Sequence, residues 1–398
     1  MDCFGNQGKK EILQNLTFFG YVFFVFSVCS IAGYNIFTGF MVLCVLLSIQ
    51  NVNINALKRI KKIILCHLLF FSLLLLAALL SADGTIVYKT LKYISWTLPF
   101  WLIIIFPYIC NFEKLYGYAI FMSLCVISIF ALLLVNRQGV RVIGYFGKPT
   151  LLGTILGIIL PATVLLTMKA FKDISNKYVK FLFSMICLLG IYTLFLSKTR
   201  GAIIGLIIGG IMLYLLLHQK SWDRFSLKQR LCIMFSIFFI LVGTICILPN
   251  TPLHRSYDYE RILLWKSSYA MWQDNPIYGI GFGNWHKIYP QYILPQAKEP
   301  DLPIPHNTIA SFLSETGIIG GMGFLTYTIG TIIILACKIS VHPANIYYQI
   351  AFWSFVTITC HGMVDTGLTN RFGLQLISLI LGVAFYSELH HSQNHNIH

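Results

Sequence analysis

The chain has 398 residues, 57% of them hydrophobic and 11% charged, with a mean hydropathy of +0.74. Soluble globular domains carry a charged fraction of about 25%, so the composition excludes a water-soluble globule and indicates an all-α polytopic membrane protein. The formal charge of +15 does not point to nucleic acid, because Lys and Arg stand in short clusters between apolar runs; anionic lipid and an anionic substrate account for it better.

Taken in order, the first fifteen residues are polar and lack a small-residue cleavage site, so the first apolar run reads as a retained anchor. Membrane spans are predicted at 16–33, 34–50, 63–81, 94–110, 117–135, 151–168, 181–197, 201–217, 231–248, 308–336, 346–364 and 371–387, about twelve helices. The chain then divides into residues 1–248 with nine spans, a large loop over 249–307, and residues 308–398 with three spans and a tail. The eleven cysteines are scattered without a CxxC pair, which indicates neither a disulfide framework nor a cysteine metal site. The basic residues of the short loops place both termini in the cytoplasm and the large loop on the outer side.

Several outward connections nevertheless hold basic residues. Arg137, Arg141, Lys198 and Arg200 occupy short outer loops where insertion disfavours them, and an anionic ligand at that membrane face would retain them. Arg200 sits in SKTRG, too short for a true loop, so its guanidinium is held beside the hydrocarbon and needs a phosphate, carbonyls or a carboxylate such as Asp365.

Within the large loop, 258–274 reads as a helix. Ile262, Trp265, Tyr269 and Trp272 fall at spacings of three and four and form one apolar face, suited to the membrane or to the bundle. Arg261 lies one turn before Trp265, at the edge of that face, where a bidentate grip on phosphate is strong; an ordinary pair with Asp258 or Glu260 is the other reading. Asn275 and Pro276 stop the helix, and Gly279, Gly281 and Gly283 follow, permitting positive φ in a rigid turn or a close approach to a ligand. Glu299, Asp301 and Glu315 suit rim and capping roles.

The loop ends in PIPHNTIASF. Pro303 and Pro305 force an extended approach, Asn307 caps a helix beginning at Thr308, and His306 stands at the amino end of a membrane helix. Positive potential there disfavours imidazolium, so His306 is expected neutral near pH 7 and able to take a proton. No histidine pair has metal-site spacing, and His361, inside a span, reads as a satisfied core residue.

Together, SKTRG, ERILLWKSSYAMWQDNPIYGIGFGNW and PHNTIASFLSETGIIG, all outside a helical bundle, resemble the O-antigen ligase and polymerase superfamily. The large loop before the tenth helix, ending in a His-Asn pair, looks most like lipopolysaccharide O-antigen ligase, and with it a fold similar to GT-C glycosyltransferases. The resemblance implies transfer of a glycan from undecaprenyl diphosphate to a sugar hydroxyl of lipid A-core, at the periplasmic face of the bacterial inner membrane, without nucleotide sugar or metal. It makes His306 the base, assigns Arg200 and Arg261 to the diphosphate, and places Asn307 among the substrate-binding residues; Arg137 and Arg141 are assigned to substrate by charge alone. The alternatives are an O-antigen polymerase acting on lipid-linked repeat units and a transporter or flippase of lipid-linked glycans. Charge gathered at one face and the lack of repeated halves weigh against the transporter.

Overall fold

The computed structural model describes residues 57–105, 112–133, 141–218, 256–298 and 304–394, with a few isolated positions. Expected spans 16–33 and 231–248, most of 34–50, and the residues 106–110 ending the span at 94–110 lie outside that set. The described helices are α1 (Lys61–Leu80), α2 (Gly84–Ser95), α3 (Leu98–Ile105), α4 (Phe112–Leu133), α5 (Pro149–Asp173), α6 (Lys177–Ser197), α7 (Arg200–Leu217), α8 (Ser256–Asp274), α9 (Trp285–Ile288), α10 (Thr308–Val341), α11 (Ile346–Gly362) and α12 (Arg371–Asn394). Six helical segments among the described residues are long and apolar enough to cross a membrane, fewer than the twelve expected: Lys58–Leu80, Tyr116–Leu133, Pro149–Asp173, Lys177–Ser197, Arg200–Leu217 and Thr308–Val341.

The bundle packs α1 against α10, α7 against α11, α3 against α12, and α5 against both α6 and α11. The α7–α11 contact follows from glycines spaced by four. A methyl group on Gly205 would stand 2.5 Å from the Thr357 carbonyl oxygen, and one on Gly209 would stand 2.6 Å from Trp353 Cδ1. Small residues at this spacing let two helix backbones approach closely, which dispersion then rewards in lipid. Polar groups close the contact: Trp353 Nε1 donates to Leu206 O at 2.7 Å and Thr357 Oγ1 to Gly205 O at 3.3 Å. Pro161 lies inside α5, and beside it Ser354 of α11 donates to Ile158 O at 2.7 Å.

The α10 helix is not continuous. Gly317 adopts φ 61° and ψ −160°, dividing it into 308–316 and 318–341. The break frees amides and carbonyls that the turn after α8 takes up: Ile318 N donates to Pro276 O (2.8 Å), and Ile280 N to Ser314 O (2.9 Å). Two glycines make the approach possible. A Cβ on Gly279, at φ +71°, would meet Glu315 C at 2.4 Å, and one on Gly317 would meet Ile277 C at 2.3 Å. The glycine turn foreseen in the sequence thus serves as a rigid plug in a broken helix.

At the opposite end of the bundle Glu388 of α12 gathers three partners. Its carboxylate accepts from Lys338 Nζ (2.5 Å) and Tyr348 Oη (2.6 Å), and its carbonyl from Arg59 Nη1 (3.4 Å).

Gly317→Ala and Gly279→Ala should each lower the yield of folded, detergent-extracted protein and its Tm, since strained backbone of this kind costs about 1–3 kcal/mol before the clash is counted. Gly84→Ala, where an added Cβ meets nothing within 4 Å, should leave both unchanged. Thermal unfolding of the three purified variants beside the parent protein measures the difference.

Candidate functional site

Three segments far apart in sequence meet where α10 begins. His306 has φ +50°, a left-handed conformation that a side-chain-bearing residue adopts only where its surroundings hold it. Next to it Asn307 is extended, and its Oδ1 accepts from Ala310 N at 3.0 Å, the cap expected from the sequence. The same amide donates to Met363 O at 2.9 Å, and Thr308 Oγ1 accepts from Gly367 N at 3.2 Å. The turn between α11 and α12 is thereby fastened to the start of α10.

That turn carries Asp365, which is 2% exposed. Its Oδ1 receives Thr366 N at 2.8 Å and lies 3.3 Å from His306 Nδ1, while its Oδ2 lies 3.5 Å from Arg261 Nη2. The side chains of Arg261 and His306 are 26% and 22% exposed, so the carboxylate is covered and both its partners reach the surface. Burial by itself would raise the Asp365 carboxyl. The hydrogen bond from His306 and the fields of the two imidazoles and the Arg261 guanidinium outweigh that and hold it below the ordinary carboxylate range. An ionised carboxylate facing Nδ1 selects the Nδ1–H tautomer and leaves the lone pair on Nε2, the arrangement that orients a histidine as a proton acceptor.

Arg261 reaches this point because α8 is clamped along its other side. Glu260 accepts from Lys298 N (3.1 Å to Oε2), Ser267 Oγ donates to Tyr292 O (2.7 Å), and Trp285 Nε1 donates to Ser268 Oγ (2.9 Å). Leu264 and Met271 close a small apolar cluster with Trp285 and Tyr289. The covered face of α8 runs through Glu260, Leu264, Ser268 and Met271, and the expected apolar face joins it only along one edge: Trp265 packs against the cluster and is half-buried, as is Trp272, while Tyr269 is 56% exposed. Two adjacent serines let α9 and Tyr292 come close, and that outweighed the larger aromatic stripe. Neither Glu260 nor any other carboxylate on α8 takes Arg261 among the described side chains; its partner is Asp365.

Arg200 is the first residue of α7 and is half-buried. A Cβ on the next residue, Gly201, would stand 2.6 Å from Val364 Cγ2 and 2.8 Å from His361 Nδ1, so Arg200 begins its helix against the segment that carries Asp365. Arg141 donates from Nε to Ser197 O (2.9 Å) and from Nη2 to Lys198 O (3.4 Å), bracing the turn that holds Arg200. Arg137, Glu299, Asp301 and the side chain of Asp258 lie outside the described residues. The structure thus brings Arg261 and His306 onto one carboxylate, with the start of α7 beside it.

Four residues matter more to the site than their sequence surroundings suggest. Asp365 was seen only as a possible partner for Arg200, although a carboxylate at the end of an apolar span is costly unless paired and so marks a site. His361 is not fully satisfied: its Nε2 pairs with Thr154 Oγ1 at 2.8 Å, but buried Nδ1 has no hydrogen-bond partner among the described residues. Lys89 of α2 donates to Gly283 O (3.1 Å) and Asn284 Oδ1 (2.6 Å), and Glu315 accepts from Trp285 N (2.9 Å); both hold the glycine turn in place. No signal in the sequence joins Lys89 to a turn so distant from it. Among the described residues, no group of three or more His, Cys, Asp or Glu side chains is placed to hold a metal ion.

Residues 185–325 match the O-antigen ligase family, a stretch that contains Arg200, Arg261 and His306 and stops short of Asp365. A search of curated proteins matches nothing.

Because its folded-state pKa is depressed, Asp365 contributes stability that is present above the ordinary carboxylate value of about 4 and is lost as pH falls through the lower folded value. Asp365→Asn should lower the Tm at pH 7, by about 2–3 kcal/mol of stability, because Arg261 and His306 lose their counter-charge. It should also reduce the fall in Tm between about pH 5 and pH 3 relative to the parent. Thermal unfolding across that pH range checks both.

Proposed function

We propose that this membrane protein is an O-antigen ligase, a glycosyltransferase acting on lipid-linked glycan, a reading supported by the match of residues 185–325 to the O-antigen ligase family. In this reading the donor is O-antigen on undecaprenyl diphosphate. The acceptor is a sugar hydroxyl of lipid A-core, and the reaction runs at the periplasmic face of the inner membrane with both termini cytoplasmic. The observation that carries it is the convergence of His306 and Arg261 on Asp365 at the end of the bundle where α7 presents Arg200.

The chemistry needs a proton acceptor on one side of an anomeric carbon and charge stabilisation on the other. His306, held by Asp365 through Nδ1, takes the acceptor's hydroxyl proton at Nε2. The freed oxygen bonds to the anomeric carbon as the bond from that carbon to the diphosphate oxygen breaks, and the electron pair leaves with the diphosphate. Arg200 and Arg261 neutralise that leaving group. Asp365 engages one nitrogen of Arg261 and leaves the rest of the planar fork for phosphate oxygens. A single displacement by one base inverts the anomeric configuration; a glycosidase would instead use two facing carboxylates. Asn307, whose amide is engaged by the cap and by Met363 O, fixes the position of His306. Arg141 keeps Arg200 in place through the turn it braces, and Arg137 is assigned to the anionic substrate by its charge alone.

The test is deletion of the gene and complementation with variants, read by lipopolysaccharide gel and by the lipid-linked donor pool. His306→Ala should lose attachment to lipid A-core by about 10²–10⁴-fold with protein level and donor unchanged. Arg200→Lys and Arg261→Lys should each lose about tenfold or more, the worth of one charge-assisted hydrogen bond. Normally capped lipopolysaccharide from the His306 variant would overturn the role of the imidazole. Loss of long lipid-linked chains in the deletion strain would reassign the protein to the polymerase.

A further inference from the structure

The aromatic stripe of α8 that the bundle does not cover has a place of its own. Tyr269 and Ile277 are 56% and 57% exposed, Tyr278 is exposed as well, and the rings of Tyr269 and Trp272 lie 5.6 Å apart. These side chains stand beside the break in α10, because Ile277 O accepts from Ile319 N and Pro276 O from Ile318 N. From that point α10 carries an exposed apolar stripe at helical spacing, beginning with Ile318 (48%) and Met322 (58%) and continuing through Leu325 and Ile329. The exposed face after α8 and the outward face of the α10 span are therefore one continuous apolar surface.

Its level relative to a bilayer follows from length. The segment 318–341 of α10 is about 35 Å long at 1.5 Å per residue, close to the hydrocarbon thickness of about 30 Å. Ile318 thus marks the outer edge of the hydrocarbon, and the residues docked against it fall at headgroup depth. Tyr and Trp are the residues favoured there, because each buries an apolar ring and keeps a polar tip in the wet layer. Lys266, one position from Trp265 on the open side of α8, adds a cation facing anionic headgroups.

We propose that Tyr269, Ile277 and Tyr278, with Tyr269 resting on the half-buried Trp272 ring, form a foot seated in the outer leaflet, at the boundary of headgroups and acyl chains, and that bilayer phospholipid is the occupant of this face. The proposal rests on the outward orientation of the large loop and is independent of which glycan the enzyme transfers. The foot stands on the helix that carries Arg261, so it fixes the height of the proposed diphosphate grip above the lipid from which a polyprenyl carrier would present it.

Photocrosslinking of the full-length protein tests this. p-Benzoylphenylalanine is placed at Tyr269, at Tyr278 and, as the water-facing reference, at Gln296, which is exposed in the loop segment that covers the opposite face of α8 through Lys298. Each protein is reconstituted into vesicles of phosphatidylethanolamine and radiolabelled phosphatidylglycerol and irradiated. Lipid label on the Tyr269 and Tyr278 positions at roughly tenfold or more the level at Gln296 is the expected result, since an interfacial face meets lipid continuously and a solvated one does not. Equal labelling at all three positions, a crosslinked second copy of the chain, or no lipid adduct at either tyrosine position would overturn the proposal. Complementation by the same three proteins is measured in parallel, so an inactive enzyme with a labelled foot separates failure of the ligase reading from failure of this one.

Discussion

A carboxylate that is 2% exposed has to be compensated, and Asp365 is compensated by groups that no single segment could provide. Removing an ion of this size from water costs several kcal/mol, so the position is tenable only while Arg261, His306 and the Thr366 amide surround it. Those partners come from the large loop, from the start of α10 and from the α11–α12 turn. Assembly of the bundle's outer end and assembly of the chemical groups are consequently one event. Nothing has to be brought to His306 afterwards, because the contact that satisfies Asp365 also fixes the imidazole's tautomer.

Two glycine devices make that meeting possible. Along α7, Gly201, Gly205 and Gly209 remove the side chains that would hold α11 away, and the gap they leave sets the start of α7 against Val364. In α10, Gly317 opens the helix so that the turn containing Gly279 can donate and accept where the helix ladder has lapsed. The first device brings Arg200 toward the carboxylate from the bundle, and the second anchors the loop that brings Arg261 from above. Both substitute absence of a side chain for what a larger residue would do by packing.

The membrane character, the positions of most described helices, the cap at Asn307 and the turn at Gly279–Gly283 were legible in the sequence, because each depends on local composition or spacing. The partner of Arg261 was not, since the candidates in reach of periodic reasoning were Asp258 and Glu260, while Asp365 lies a hundred residues away and is joined only by the fold. The face of α8 that its neighbours cover was not legible for a related reason. Hydrophobic periodicity singles out the stripe with the most apolar area, yet the covered stripe is the one with small and polar groups whose hydrogen bonds a neighbour can complete, as Ser267 and Ser268 do. The break in α10 was hidden inside an uninterrupted apolar run, where a lone glycine is no warning.

That break also has a mechanical side. Gly317 separates the piece of α10 bearing His306 from the piece that spans the membrane, yet the turn after α8 bonds to both, through Ser314 O above and through Ile318 N and Ile319 N below. The turn therefore works as a splint across the interruption. The bearing of the imidazole is keyed to the lower piece by the same loop that carries Arg261.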